Sequence, residues 1–160
     1  MTSPQIVMAL GFAAALAATL RIGRFGLAMF FLIALIETFA GLRYPFHSVV
    51  RDAILGLSHD IPKRQLQFYM LVGSALVCGL FVALSFRAFA RLPASGRWMA
   101  LGVFLTCAML VVELISLHQV DRMIYYWFGP ATFTNYVYLV AGLLVGYGAL
   151  IEFRSRGGGS

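Results

Sequence analysis

The sequence has little charge. Asp, Glu, Lys and Arg make up 11% of its 160 residues, whereas 61% are hydrophobic. A soluble domain carries charge on about a quarter of its residues, so this composition excludes an ordinary soluble protein. We predict an all-α integral membrane protein with one helical domain over residues 1–156. The formal net charge of +6 does not indicate nucleic-acid binding, because the arginines lie at the ends of hydrophobic segments.

Familiar catalytic motifs are missing as well. The sequence contains no Walker loop, no GxSxG and no HExxH, so no motif points to an enzyme. Cys78 and Cys107 do not form a CxxC pair and lie in hydrophobic segments, where cysteine acts as a small apolar residue. Lys63 is the sole lysine and falls in a predicted loop, which excludes a retinal-type Schiff base inside the bundle.

Five hydrophobic segments are predicted to cross the bilayer, which requires about 20 apolar residues for a helix. The predicted spans cover residues 5–20, 25–42, 67–86, 98–118 and 136–153. The sequence RIGR at Arg21–Arg24 separates the first two spans. One continuous helix over residues 5–42 would be about 57 Å long, too long for one crossing, so we predict a tight hairpin there.

Segments outside the spans have simple interpretations. Residues 48–57, SVVRDAILGL, have the spacing of a short interfacial helix in the long outer loop, with Ser48 as its N-cap. The aromatic run at residues 125–127 is typical of an interfacial belt. Residues 1–5 lack the positive charge of a signal peptide. Residues 157–160 are interpreted as a linker remnant.

The distribution of arginine predicts the orientation. Five spans place the short basic segments on one side and the longer, less basic loops on the other, and short-loop Lys and Arg favour the cytoplasm. We therefore predict an outer N-terminus and a cytoplasmic C-terminus in a bacterial inner membrane. The residues on the predicted inner side are Arg21, Arg24, Arg87, Arg91, Arg97, Arg154 and Arg156.

Two glutamates lie inside predicted spans, where a charged carboxylate is costly and marks a functional hypothesis. Glu37 and Glu113 both fall roughly 7 Å below the predicted outer interface at helical rise. Glu37 has small neighbours at Ala34 and Gly41, and Glu113 has Ser116 on its side. Both carboxylates are therefore expected to face the protein interior, where Glu37, Glu113 and Ser116 would form a protonatable or cation-binding site.

Three classes of function follow from these features. The first is an accessory or structural subunit of a membrane assembly or homo-oligomer, with the carboxylate pair buried near its outer face. The second is a carrier or channel for protons or cations that uses Glu37 and Glu113. The third is a haem- or metal-binding redox protein that uses His118 with His47, although no cofactor is required by the sequence. His118 and Asp121 share a helical face at i, i+3, whereas Glu113 and His118 do not.

The last span contains a possible helix-packing face. Gly142 and Gly146 form a GxxxG pattern, which lets a second helix approach closely in a membrane. The pattern alone leaves open whether the second helix belongs to this chain or to another subunit. The predicted partners are accordingly the lipid bilayer, further copies of the chain or other membrane subunits, and no nucleic acid.

Overall fold

The computed structural model describes residues 3–41, 88–115 and 125–157, and a few separate positions between 56 and 80. The described residues are mostly helical, as predicted. Their elements, in chain order, are α1 (Ser3–Arg21), α2 (Phe25–Ala40), α3 (Ala94–Ile115), β1 (Trp127–Phe128), β2 (Ala131–Thr132) and α4 (Phe133–Gly157).

Three of these helices, α1, α3 and α4, are long and apolar enough to cross a membrane. α2 is also apolar, but its 16 residues are fewer than the roughly 20 that a transmembrane helix needs. The interfacial helix predicted at 48–57 and the span predicted at 67–86 lie largely outside the described residues. Positions 68–69, 72–73, 75–76 and 79–80 are described, and all of them are helical and exposed.

The predicted hairpin between α1 and α2 is present. Gly23 adopts a positive φ of 74°, the left-handed conformation that glycine adopts without a steric penalty. The Gly23 N–H donates to the Leu20 carbonyl and the Arg24 N–H donates to the Thr19 carbonyl, at 3.0 and 2.9 Å. This pair of bonds is a Schellman motif, and it reverses the chain within two residues so that α2 packs along α1.

The helices pack as a layer in the order α2, α1, α4, α3. The main interfaces join α1 to α2, α1 to α4, and α3 to α4. Tyr138 and Val145 of α4 are fully buried, as are Phe12 of α1 and Phe31 of α2. We call this arrangement the four-helix layer. Its core therefore runs through α1 and α4, the two central helices.

Glycines allow the central helices to approach each other closely. A Cβ atom on Gly142 would clash with the carbonyl group of Gly11, and one on Gly11 would lie 2.7 Å from the Cα of Leu139. On the other side of α4, a Cβ on Gly148 would lie 2.6 Å from the carbonyl oxygen of Ser95. By contrast, a Cβ on Gly146 would meet nothing within 4 Å. Gly142 therefore packs inside the chain, against α1.

A short β-hairpin precedes α4, a feature that the all-α prediction did not include. Trp127 pairs with Thr132 and Phe128 pairs with Ala131 in antiparallel register. The two-residue turn between the strands contains Gly129 at φ 65°, and a positive φ at this position suits the tight turns that match strand twist. The Phe133 N–H donates to the Tyr126 carbonyl at 3.0 Å, which joins the hairpin directly to the start of α4.

We expect Gly142→Ala to destabilise the protein and Gly146→Ala to leave it nearly unchanged. The first substitution forces a methyl group into the Gly11 backbone, and overpacking of this kind costs about 1–3 kcal/mol or more. The second places a methyl group in open space one turn away. Thermal unfolding of both variants in detergent, followed by circular dichroism, measures the difference. Equal stability of the two variants would contradict the close contact between α1 and α4.

Candidate functional site

A buried tyrosine on α4 holds one of the two predicted glutamates. The Tyr138 hydroxyl donates a hydrogen bond to Oε2 of Glu113 at 2.7 Å. The tyrosine residue is 0% exposed, and Glu113 is half-buried near the end of α3. A carboxylate inside a membrane segment requires a polar partner. The hydrogen bond from Tyr138 supplies that partner to Glu113 at the interface between α3 and α4.

Aromatic packing fixes the ring of Tyr138. Its centroid lies 5.4 Å from that of Phe12 on α1, and the Phe12 centroid lies 6.1 Å from that of Phe31 on α2. Aromatic pairs at these separations attract each other beyond the burial of their surface. Phe31, Phe12, Tyr138 and Glu113 therefore form a continuous series of contacts across all four helices. The Tyr138 hydroxyl connects the aromatic part of this series to the carboxylate.

Glu37 lies on α2, at the opposite edge of the four-helix layer from α3. Its carboxylate is half-buried, and the neighbouring Thr38 is buried, with its hydroxyl donating to the Ala34 carbonyl at 2.9 Å. α2 packs on α1, whereas α3 packs on α4. The described packing interfaces thus do not bring Glu37 and Glu113 together.

The remaining predicted site residues lie outside the described part of the chain. They include Ser116 of the proposed ion site and the haem or metal candidates His47, His118 and Asp121. Among the described residues, no group of three or more His, Cys, Asp or Glu side chains is arranged to hold a metal ion. The haem and metal hypotheses therefore stay predictions from the sequence.

A second carboxylate, Glu152 of α4, is the centre of an ionic cluster with two arginines. Its residue is 7% exposed. Arg24 donates to Oε1 through Nε at 3.3 Å and through Nη2 at 3.1 Å, and Nη2 also lies 3.3 Å from Oε2. Arg156 donates to Oε1 from one helical turn further along α4. We call Arg24, Glu152 and Arg156 the ionic cluster.

The ionic cluster attaches the last turns of α4 to the turn between α1 and α2. Arg156 also donates through Nη1 to the Ile22 carbonyl at 3.0 Å. This carbonyl lies just after α1, where the carbonyl groups at a helix end have no partner within the helix. The guanidinium carbon of Arg21 lies 4.3 Å from the centroid of the Phe153 ring, a cation–π contact. Two helix ends that are far apart in sequence are thereby joined through three arginines.

Sequence reasoning missed Glu152, although one signal for it was present. Glu152 precedes Arg156 by four residues, the spacing at which a glutamate and a basic residue attract each other on a helix. Arg24, its other partner, is 128 positions away, and no local pattern connects them. The prediction placed this end of the span at the membrane surface through Arg154 and Arg156 and did not consider the carboxylate just before them.

The two carboxylates on the α4 interfaces differ in chemistry. Glu113 accepts a hydrogen bond from a neutral donor, the Tyr138 hydroxyl. Glu152 has two guanidinium groups, which more than offset its charge. Tyr138 and Glu152 lie 14 positions apart on α4, about 21 Å at helical rise, so the two groups occupy opposite ends of the four-helix layer.

Similarity to known proteins does not narrow the choice of function, because no family model, curated protein or solved structure matches the chain. Function must therefore be inferred from the chemistry of this chain's own residues.

We expect Arg24→Gln to destabilise the protein by about 1–3 kcal/mol, because it leaves a buried carboxylate with fewer donors. The double variant Arg24→Gln/Glu152→Gln removes the carboxylate charge as well and should recover part of that loss. Arg154→Gln is the control: it also removes one positive charge, but from a residue of α4 outside the ionic cluster. It should change the free energy of unfolding by less than about 0.5 kcal/mol. Thermal unfolding in detergent compares the three variants. A double variant no more stable than Arg24→Gln would show that the pairing with Glu152 is unimportant.

Proposed function

We propose that the chain is a small polytopic membrane protein that serves as an accessory or structural subunit of a membrane assembly or homo-oligomer. The observation that carries this proposal is the apolar outer face of α2, a helix too short to cross the bilayer by itself. Its 16 residues extend over about 24 Å at helical rise, whereas the hydrocarbon core is about 30 Å thick.

The end of α2 is defined by its backbone. Gly41 adopts the left-handed conformation, with φ 63° and ψ 29°, and its N–H donates to the Glu37 carbonyl. This αL cap terminates the helix. A helix shorter than the hydrocarbon core is accommodated by thinning of the bilayer or by association with other helices. The face of α2 away from α1 carries the exposed side chains that a partner would contact: Phe25, Met29, Ile33, Ile36 and Phe39.

Internal pairing of the polar groups also supports a structural role. No buried side-chain nitrogen or oxygen in the described part of the chain lacks a hydrogen-bond partner. Glu113 and Glu152 are both held by side chains of this chain. Carboxylates occupied in this way stabilise one packed arrangement, which is what a subunit needs in order to present a fixed surface.

The proposed setting is a bacterial inner membrane, with five spans, the N-terminus outside and the C-terminus in the cytoplasm. The described arginines support this orientation, since they all lie at the end of the four-helix layer that contains the turn between α1 and α2. We call this the arginine end; its residues are Arg21, Arg24, Arg91, Arg97, Arg154 and Arg156. Short segments rich in arginine favour the cytoplasmic side.

Cross-linking tests the subunit proposal. In a background with Cys78→Ala and Cys107→Ala, we expect Ile33→Cys on α2 to be joined to a neighbouring chain by a membrane-permeant bifunctional thiol reagent. The control is Leu143→Cys on α4, because Ile33 and Leu143 are similarly exposed, at 61% and 54%, and lie at comparable distances from the arginine end.

The mass of the product identifies the partner. A dimer band for Ile33→Cys with little product for Leu143→Cys would indicate a homo-oligomer through α2. An adduct of another mass, formed in native membranes, would indicate a different subunit. If Ile33→Cys gives no product in either preparation, or no more than Leu143→Cys, the exposed face of α2 contacts lipid and the proposal is wrong.

Proton or cation transport is the second candidate, and the hydrogen bond between Tyr138 and Glu113 is the observation that favours it. A hydroxyl and a carboxyl group at 2.7 Å can exchange a proton, and ionisable groups inside membrane segments often belong to proton relays. Among the described residues, α2 packs mainly on α1 and α3 packs mainly on α4, so Glu37 would contribute through residues outside these main interfaces.

If transport is the function, Glu113→Gln should abolish proton flux into liposomes and preserve folding, since the glutamine oxygen can still accept from Tyr138. Glu37→Gln should have the same effect. Tyr136→Phe is the control, because the Tyr136 hydroxyl donates to the Phe128 carbonyl in the β-hairpin and does not contact Glu113. A fluorescent pH indicator inside the liposomes measures flux. Wild-type flux no greater than that of protein-free liposomes would exclude this candidate.

A further inference from the structure

The ionic cluster carries more positive charge than its carboxylate can offset. Two guanidinium groups share one carboxylate, and their side chains are 52% and 58% exposed. Arg24 uses Nε and Nη2 for Glu152, and Arg156 uses Nη1 and Nη2 for Ile22 and Glu152. A guanidinium has five N–H donors, so Nη1 of Arg24 and Nε of Arg156 stay available within the described structure.

The N-terminus of α2 lies at the same place, because Arg24 is its N-cap residue. The side chain of Arg24 makes no capping hydrogen bond; it is directed to Glu152 instead. The Ala28 N–H is bonded to the Arg24 carbonyl, whereas the preceding N–H groups of a helix have no internal acceptor. Gly26 is exposed, and a Cβ built on it would meet nothing within 4 Å. The surface beside Gly26 in the first turn of α2 is therefore open.

We propose that the ionic cluster and the N-terminus of α2 bind the phosphate group of an anionic membrane lipid. Free backbone N–H groups and the positive end of the helix dipole favour an anion. Guanidinium groups bind phosphate through paired hydrogen bonds. Glu152 holds the two arginines in place and leaves the surplus positive charge facing outward. This inference is independent of whether the chain is a subunit or a transporter.

The position in the chain selects a lipid over a soluble phosphate compound. Arg24 lies in the turn between two apolar helices, and Arg156 lies in the last turn of a helix long enough to cross the membrane. Both therefore sit at the level of the lipid headgroups, where basic groups between membrane helices bind anionic headgroups. The exposed Phe25 beside Arg24 would lie next to the acyl chains of the same lipid.

The test compares thermal unfolding of the full chain in detergent with added phosphatidylglycerol, phosphatidylcholine or inorganic phosphate. We expect phosphatidylglycerol to raise the unfolding temperature more than phosphatidylcholine, and inorganic phosphate to have little effect. Arg156→Gln keeps the contacts between Arg24 and Glu152, and it should weaken the apparent affinity for phosphatidylglycerol about fivefold, the effect of one basic group near a lipid surface. Arg154→Gln removes the same charge from the same helix end and should weaken it less than Arg156→Gln does.

Each other result would overturn the inference. Equal stabilisation by the two lipids would show that no anionic group is recognised. Equal losses for Arg156→Gln and Arg154→Gln would show a diffuse attraction by surface charge. Stabilisation by inorganic phosphate as large as that by phosphatidylglycerol would identify a soluble phosphate compound as the ligand. If Arg156→Gln does not fold, Arg156→Lys provides the comparison with Arg154→Lys, because lysine keeps the charge beside Glu152 but lacks the paired N–H donors of a guanidinium.

Discussion

The close contact between α1 and α4 is the constraint on which the rest of the structure depends. Gly11 and Gly142 allow the two backbones to meet where any side chain would clash, and helices in a membrane gain most of their association from such packing. This contact sets the distance at which Phe12 reaches Tyr138. Through Tyr138 it also sets where Glu113 can be accommodated on α3.

The two ends of the four-helix layer use polar groups in different ways. At one end, Tyr138 supplies a neutral donor to Glu113, and the β-hairpin leads into the start of α4. At the other end, Arg24 and Arg156 hold Glu152 and attach the end of α4 to the turn between α1 and α2. α4 is therefore restrained at both ends and contacts α1 and α3 along its length, whereas α2 is held by α1 and by the ionic cluster.

Among the four described helices of the layer, this asymmetry leaves α2 with the fewest internal contacts along its outer face. It lies at the edge of the layer, it is shorter than the hydrocarbon core, and its outer face is a continuous row of apolar side chains. The arginine end of the same helix offers unpaired N–H donors and surplus positive charge. A protein partner along α2 and an anionic headgroup at its N-terminus would occupy different parts of this helix, so both proposals can hold together.

Composition and hydrophobic periodicity determined the mostly helical class, the apolar helices long enough to cross a membrane and the hairpin at Gly23, because each of these depends on neighbours in sequence. Gly142 was identified as a packing residue by its spacing, but only the tertiary structure decided that its partner is Gly11 and that Gly146 faces open space. The predicted proximity of Glu37 and Glu113 rested on equal depth and stays a prediction, because depth along a helix does not determine which helices are neighbours. Glu152 was missed because Arg24 reaches it only after α1 and α4 pack together. Depth along a helix is a local property of the chain, whereas the neighbours across an interface are set by how the backbones fit.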